Sequence, residues 1–253
     1  QLLELWQKEG VNHAHVSKIQ DASTGIYFVT HNSSGHNFSY FRKDSAASQI
    51  TPEHLPYTYI ASAKVLHISA ISQAISPSSN NTVNAAIQIA NKNDVLISYD
   101  TNLRLKLWSL ELARETIQKT IPFSDFLFPS LEDSIILTEL TEPTDIVEYY
   151  LKNGAKLVAL KLGSEGVLVA NKDSCYKING KVVETVDATG AGDSFNGAFL
   201  SEWLRHGNPL ESAQYANAAA ALSTTGIGAV EPIPDRLDVE NFLKSSSNQV
   251  CKS

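Results

Sequence analysis

From residue 52 onward this chain alternates between two hydrophobic periods, and no other feature constrains its fold as much. Short apolar runs at 65–69, 95–99, 126–128 and 157–161 are separated by longer stretches with helical spacing at 82–91, 110–120 and 144–152. Strands that are apolar on both faces are buried on both faces, and strands joined through helices run parallel. The pattern predicts an α/β fold whose mostly parallel sheet is covered on both faces. A local antiparallel pair at 167–170 and 175–178, an apolar helix at 195–204 and an Ala-rich helix at 209–225 complete the expected core. Upstream, residues 1–10 read as a helix closed by Gly10. Residues 25–42 read as a hairpin, with β-branched and aromatic runs at 26–30 and 37–42 around a turn at Asn32-Ser33-Ser34-Gly35. The polar tail 245–253 is expected to fray.

The 253 residues suffice for one large domain with a substantial core. A formal charge of −7 argues against a general nucleic-acid surface, which needs excess Lys and Arg. No apolar run reaches transmembrane length, so no membrane partner is expected. Cys175 and Cys251 form no CxxC pair, and a reduced, cytoplasmic protein is the simple reading. The chain contains no Met and opens on Gln1-Leu2-Leu3-Glu4-Leu5-Trp6, which reads as the middle of an amphipathic helix. A preceding N-terminal segment is therefore expected.

The run Asp187-Ala188-Thr189-Gly190-Ala191-Gly192-Asp193 carries the chemistry. It follows a strand-like stretch (Val182, Val183, Thr185, Val186) and leads into the apolar helix. Small residues let a backbone turn tightly against a ligand, and a helix start adds unsatisfied N–H donors and partial positive charge. Together these make an anion cradle. An acid at its end is electrostatically awkward beside a phosphate unless it takes a proton from an attacking hydroxyl, which assigns Asp193 as a general base. The rival glycine motifs fail: position 195 is Phe where a dinucleotide fingerprint needs its third glycine, and no Gly-Lys-Ser/Thr occurs.

This run resembles the Asp-Thr-x-Gly-Ala-Gly-Asp pattern of the ribokinase family, the PfkB carbohydrate kinases. The resemblance implies a ribokinase-like three-layer α/β/α domain over residues 1–253, with 25–42 forming part of a small β lid. It implies ATP and Mg²⁺ as well, and allows a monovalent-cation site near Asp187. Three further clusters follow predicted strands, where ligands of an open parallel sheet sit. Asp100-Thr-Asn102-Leu-Arg104 offers an acid, an amide and a guanidinium, with Trp108 four residues on as packing. Pro129-Ser130-Leu-Glu132-Asp133 stands where the family has Asn-x-x-Glu, so Asp133 is expected to reach the metal through water. Lys161-Leu-Gly163-Ser164-Glu-Gly166 is a glycine turn that borders the nucleotide in the family, and Asn217 falls where family members flank the adenine. The implied nucleotide contacts are Asn102, Arg104, Ser130, Lys161, Gly163, Ser164, Gly166, Gly190, Ala191, Gly192, Asp193 and Asn217.

The hairpin narrows the subgroup. Thr24-Gly25-Ile26-Tyr27, then Tyr40-Phe41-Arg42, then Asp-x-Asn-x-Arg-x-x-x-Trp resembles the 2-dehydro-3-deoxygluconate kinases. Arg binds carboxylates through paired hydrogen bonds, and Arg42 with Arg104 would clamp one acid group. Tyr27, Tyr40 and Phe41 would line the sugar, and the lid would support a homo-oligomer. The expected activity is ATP-dependent phosphorylation of the terminal hydroxyl of a sugar acid, with Gly190, Ala191 and Gly192 holding the transferred group and Asp193 as base. Two alternatives stand beside it. One is a kinase for a neutral sugar of the ribose or fructose type. The other is a non-catalytic sugar- or nucleotide-binding protein of the same fold, motivated by Ser130 and Asp133.

Overall fold

The computed structural model describes residues 1–32 and 35–248. The expected turn residues Ser33 and Ser34, and the end of the tail with Cys251, lie outside the described residues. The chain divides into two compact units, residues 1–97 with 104–109, and residues 98–103 with 110–253.

In the first unit, α1 (Leu2–Lys8) stops where Gly10, at φ +69°, turns its N–H back to the Gln7 carbonyl. Strands β1 (Ile26–Asn32) and β2 (Gly35–Phe41) form a separate antiparallel sheet, with Tyr27 opposite Tyr40 and Ile26 opposite Phe41. Arg42 lies just beyond β2 rather than within it. Helix α2 (Tyr57–Ala61), strand β3 (Val65–Ser69), helix α3 (Ala70–Ala74) and helix α4 (Pro77–Lys92) follow. Helix α4 starts earlier than its apolar spacing predicts. Ser76 caps it, accepting from Ser79 N at 3.0 Å, and Pro77 takes the first helical position. The polar residues that obscure the pattern have local work: Ser78 and Thr82 donate to the Ile50 carbonyl at 2.6 and 3.1 Å.

The second unit takes up the end of β4 (Leu96–Asp100) and continues through α5 (Leu110–Thr120), β5 (Phe126–Leu127), α6 (Leu131–Thr138), α7 (Pro143–Lys152) and β6 (Leu157–Lys161). The meander β7 (Gly166–Asn171) and β8 (Cys175–Asn179) precedes α8 (Ala191–His206), α9 (Pro209–Ser223) and α10 (Arg236–Asn248). The strand order is β3-β4-β5-β6-β7-β8. Strands β4, β5 and β6 pair in parallel, and β7 and β8 extend the sheet antiparallel. Val158, Ala159, Leu160, Val167 and Val169 are fully buried, as strands covered on both faces require. Helix α7 packs on β6 and β7, and α9 on β7, β8 and α8.

An aromatic cluster sets the axis of α8. Phe128, after β5, meets Phe199 edge-on with ring centroids 5.2 Å apart, and Phe126 meets Trp203 at 4.7 Å. Each such buried ring contributes roughly 1.5–3 kcal/mol, with a further increment from the edge-on geometry. The cluster thereby directs the start of α8 toward the C-terminal ends of the parallel strands.

Two expectations are corrected. Residues 182–186 form no strand: Val182 is 98% exposed, and the stretch has no neighbouring strand to complete its hydrogen bonds. Residues 245–248, read above as the start of an irregular tail, instead end α10, a helix whose charged turns hide its apolar stripe. Leu222, Phe242 and Leu243 pack around Ala218, Ala219 and Val239 to hold it. Among the described residues, no helix is long and apolar enough to cross a membrane.

Candidate active site

In the second unit, strand ends and one helix start supply the polar groups. Gly190 stands at φ +82° as the N-cap of α8, and a side-chain carbon there would lie 2.9 Å from Ala229 Cβ. Both the conformation and the space demand glycine. Asp187 clamps the turn from below. Its Oδ1 accepts from Thr189 N and its Oδ2 from Gly228 N, each at 2.9 Å, while the N–H groups of Val186 and Asp187 donate to the Thr224 carbonyl. Buried acid and glycine together bring the 187–190 and 224–229 loops into register. Ser194 N bonds to the Gly190 carbonyl at 2.8 Å and opens the helix. The first turn lies at the positive end of the helix dipole, and its Ala191 N–H donates to the Ala188 carbonyl at 3.2 Å. Asp193 is exposed on that turn, and the buried Thr189 hydroxyl has no hydrogen-bond partner.

Lys161 ends β6 and brings a positive charge to the same place. A carbon placed on Gly192 would stand 3.5 Å from Lys161 Nζ. The Nζ also lies 3.3 Å from Asn196 Oδ1 and 3.5 Å from Asp100 Oδ1. Asn196 Nδ2 donates to Asp100 Oδ2 at 2.8 Å. The structure brings Lys161 next to the turn of Gly190, Ala191, Gly192 and Asp193, and places beside it Asn196, which the sequence reading did not single out. Its signal is an amide inside an aromatic helical stripe, between Phe195 and Phe199.

The other strand-end residues are engaged locally. Asn102 N donates to Asp100 Oδ1 at 3.2 Å, and Leu103 N donates to Asp133 Oδ2 at 3.0 Å. Ser130 caps α6, its hydroxyl accepting from Asp133 N at 3.2 Å. Among the described residues, no three His, Cys, Asp or Glu side chains converge as a metal cage. The carboxylate of Asp133 is of a type that suits a hard cation, which keeps most of its water and takes phosphate oxygens. Gly163 (φ +60°) and Gly166 (φ +101°) shape the loop after β6, and a side chain on Gly166 would run into the Ile178 carbonyl. Asn217 is buried in α9 and donates to the Asn179 carbonyl at 2.9 Å, tying α9 to the end of β8.

In the first unit, strand alternation sorts the hairpin residues. Tyr27 and Tyr40 face one another with ring centroids 6.1 Å apart, and the Arg42 guanidinium lies 5.8 and 5.7 Å from their centroids. Arg42 Nε is buried without a hydrogen-bond partner. Phe41 is not brought to this group: it projects to the other face, edge-on to Phe28 at 5.7 Å. The turn after the hairpin is tight, because a carbon on Gly25 would lie 3.4 Å from both Arg42 Cγ and Ser45 Oγ. Arg104 is half-buried and opens a turn closed by Leu107 N, and Trp108 is buried as packing.

The family model for pfkB carbohydrate kinases matches residues 1–236. The chain belongs to this kinase family. Over 248 residues it is 32% identical to the 2-dehydro-3-deoxygluconokinase of Bacillus subtilis (strain 168), covering 96% of this chain and 76% of that protein. Over 256 residues it is 34% identical to "Probable fructokinase-5" of Arabidopsis thaliana, covering 97% and 79%. Among solved structures, the kinase matches the fructokinase from Vibrio cholerae O395 in its fructose-, ADP- and calcium-bound form. That match has a TM-score of 0.85 at 26% identity, covering 96% of this chain and 80% of the other. The kinase thus carries the mostly parallel, helix-flanked sheet and the carbohydrate-phosphorylating activity of its family, and the non-catalytic alternative falls away.

Proposed function

We propose that this kinase transfers the γ-phosphoryl of ATP to the terminal hydroxyl of 2-dehydro-3-deoxy-D-gluconate, giving its 6-phosphate. The observation that carries the choice of a sugar acid is Arg42. Its Nε is buried without a partner and its guanidinium sits by the rings of Tyr27 and Tyr40. A buried donor left without an acceptor is destabilising, and a substrate carboxylate supplies the missing one. Arg104 provides a second guanidinium for the same group, and the two tyrosines pack on or hydrogen-bond the sugar.

In the reaction, the substrate hydroxyl oxygen bonds to the γ-phosphorus while the bond to ADP breaks, and Asp193 takes the hydroxyl proton. The positive end of α8 at Gly190 to Gly192 and the Lys161 ammonium oppose the charge of the group in transfer. The loop of Gly163, Ser164 and Gly166 borders the nucleotide, with Asn102, Ser130 and Asn217 as further contacts. Mg²⁺, held by phosphates and by Asp133 through water, would neutralise phosphate charge. The ADP- and calcium-bound state of the V. cholerae relative supports a nucleotide with a divalent ion. The hairpin serves as part of a lid. Its apolar face, with Ile26 51%, Phe28 57% and Phe41 60% exposed, is the surface we assign to a homo-oligomer. The exposed free thiol of Cys175 favours a reducing, cytoplasmic setting.

A neutral-sugar reading keeps one specific support, the equally close fructokinase relative. The test is ATP-dependent turnover of 2-dehydro-3-deoxygluconate, ribose and fructose by the wild type and Asp193→Asn. The proposal predicts strong turnover of the sugar acid alone, abolished in the mutant. Preferential turnover of fructose or ribose would replace it with the neutral-sugar reading.

A further inference from the structure

Asn196 is 1% exposed within the aromatic stripe of α8. A buried amide in such a setting is destabilising unless hydrogen-bonded, and Asn is a weak helix former. Both ends of this amide meet charges. Nδ2 donates to Asp100 Oδ2 at 2.8 Å, and Oδ1 accepts from Lys161 Nζ at 3.3 Å. A carboxylate only accepts and an ammonium only donates, so the orientation of the amide is fixed by chemistry. Asp100, 4% exposed, closes the triangle: its Oδ1 lies 3.5 Å from Lys161 Nζ and accepts from Asn102 N. The Lys161 side chain is only 16% exposed, and its Nζ faces the cradle at Gly192.

We propose that Asp100 and Asn196 are positioning residues that hold the Lys161 ammonium against the cradle, where its charge opposes that of the phosphoryl group in transfer. This rests on the reading above that places the transferring group at Gly190 to Gly192. A lysine stem is flexible, and a charge that must reorganise during the reaction stabilises it less than one already in place. The buried triangle supplies that preorganisation. It also couples the loop after β4 to α8, because Asp100 bonds to both Asn102 and Asn196. None of the three side chains exchanges a proton in the step: the hydroxyl proton goes to Asp193 and the leaving group is ADP.

The test is a double-mutant cycle of Lys161→Met and Asn196→Leu in the purified kinase, reading kcat, KM for ATP and melting temperature. Lys161→Met is expected to lower kcat by about 100-fold, the scale of a lost transition-state donor, with KM for ATP nearly unchanged. Asn196→Leu alone is expected to lower kcat by about 10-fold, but by less than about twofold in the Lys161→Met background, because contacting residues that act through one another are not additive. An equal factor in both backgrounds would overturn the positioning role. A rise in KM with kcat intact in Lys161→Met would overturn the role of the charge. If Asn196→Leu does not fold, Asp100→Asn takes its place in the same cycle under the same criteria. Asp193→Asn, run alongside, separates the two levels: full activity there defeats the base assignment whatever the cycle gives, and an additive cycle with Asp193→Asn inactive defeats only the positioning proposal.

Discussion

The start of α8 and the β1–β2 hairpin are built by opposite means. At α8, Gly190 is fixed by its left-handed backbone and by Ala229, and Asp187 and Asp100 are buried with their oxygens engaged. The hairpin is a separate two-stranded sheet, a form that is marginal alone in water, and it exposes Tyr27, Phe28 and Phe41. A region held by many buried polar bonds tolerates little change. A two-stranded rim of exposed side chains tolerates much more. In the function proposed above, phosphoryl transfer falls to the first region and the choice of acceptor to the second.

Substitutions sharpen this contrast. Asp193→Asn is expected to lower kcat on every sugar by about 1,000-fold, within the usual range for a lost general base, as read in steady-state kinetics. Arg42→Ala is expected to lower kcat/KM for the sugar acid by about 100-fold, the scale of a lost charge-assisted pair, while leaving turnover of fructose unchanged. A uniform loss on both substrates would break the division of labour. Gly190→Ala is expected to destabilise the fold by about 2 kcal/mol, from a strained φ and a clash with Ala229, measurable by urea unfolding. Ser130→Ala removes the cap of α6 and is expected to reduce stability by about 1 kcal/mol in the same assay.

Much of the sheet and of the helices that cover it was legible in the sequence. The strands at 65–69 and 157–161 and the helix at 110–120 fall where their hydrophobic periods place them, because burial on a fixed face leaves a periodic trace. The glycine turn that opens α8 was legible because only glycine suits its left-handed backbone and close approach. Other features left weaker traces. The stretch 182–186 has strand composition, but a strand needs a neighbour, which local sequence does not reveal. The start of α4 was hidden by polar residues that bond to Ile50, a contact distant in sequence. Asn196 was unreadable for the same reason: its partners, Asp100 and Lys161, come from two different strands. In the hairpin, alternation alone separates Phe41 from Tyr40 and Arg42, so the grouping of all three with the substrate reflects proximity in sequence rather than in space.

The most direct test of the central claim is the ratio of kcat/KM for 2-dehydro-3-deoxygluconate to that for fructose, in the wild type and in Arg42→Ala. A ratio strongly favouring the sugar acid in the wild type, falling by about two orders of magnitude in the mutant, is the predicted result. A wild-type preference for fructose, or a ratio that Arg42→Ala leaves unmoved, would contradict it.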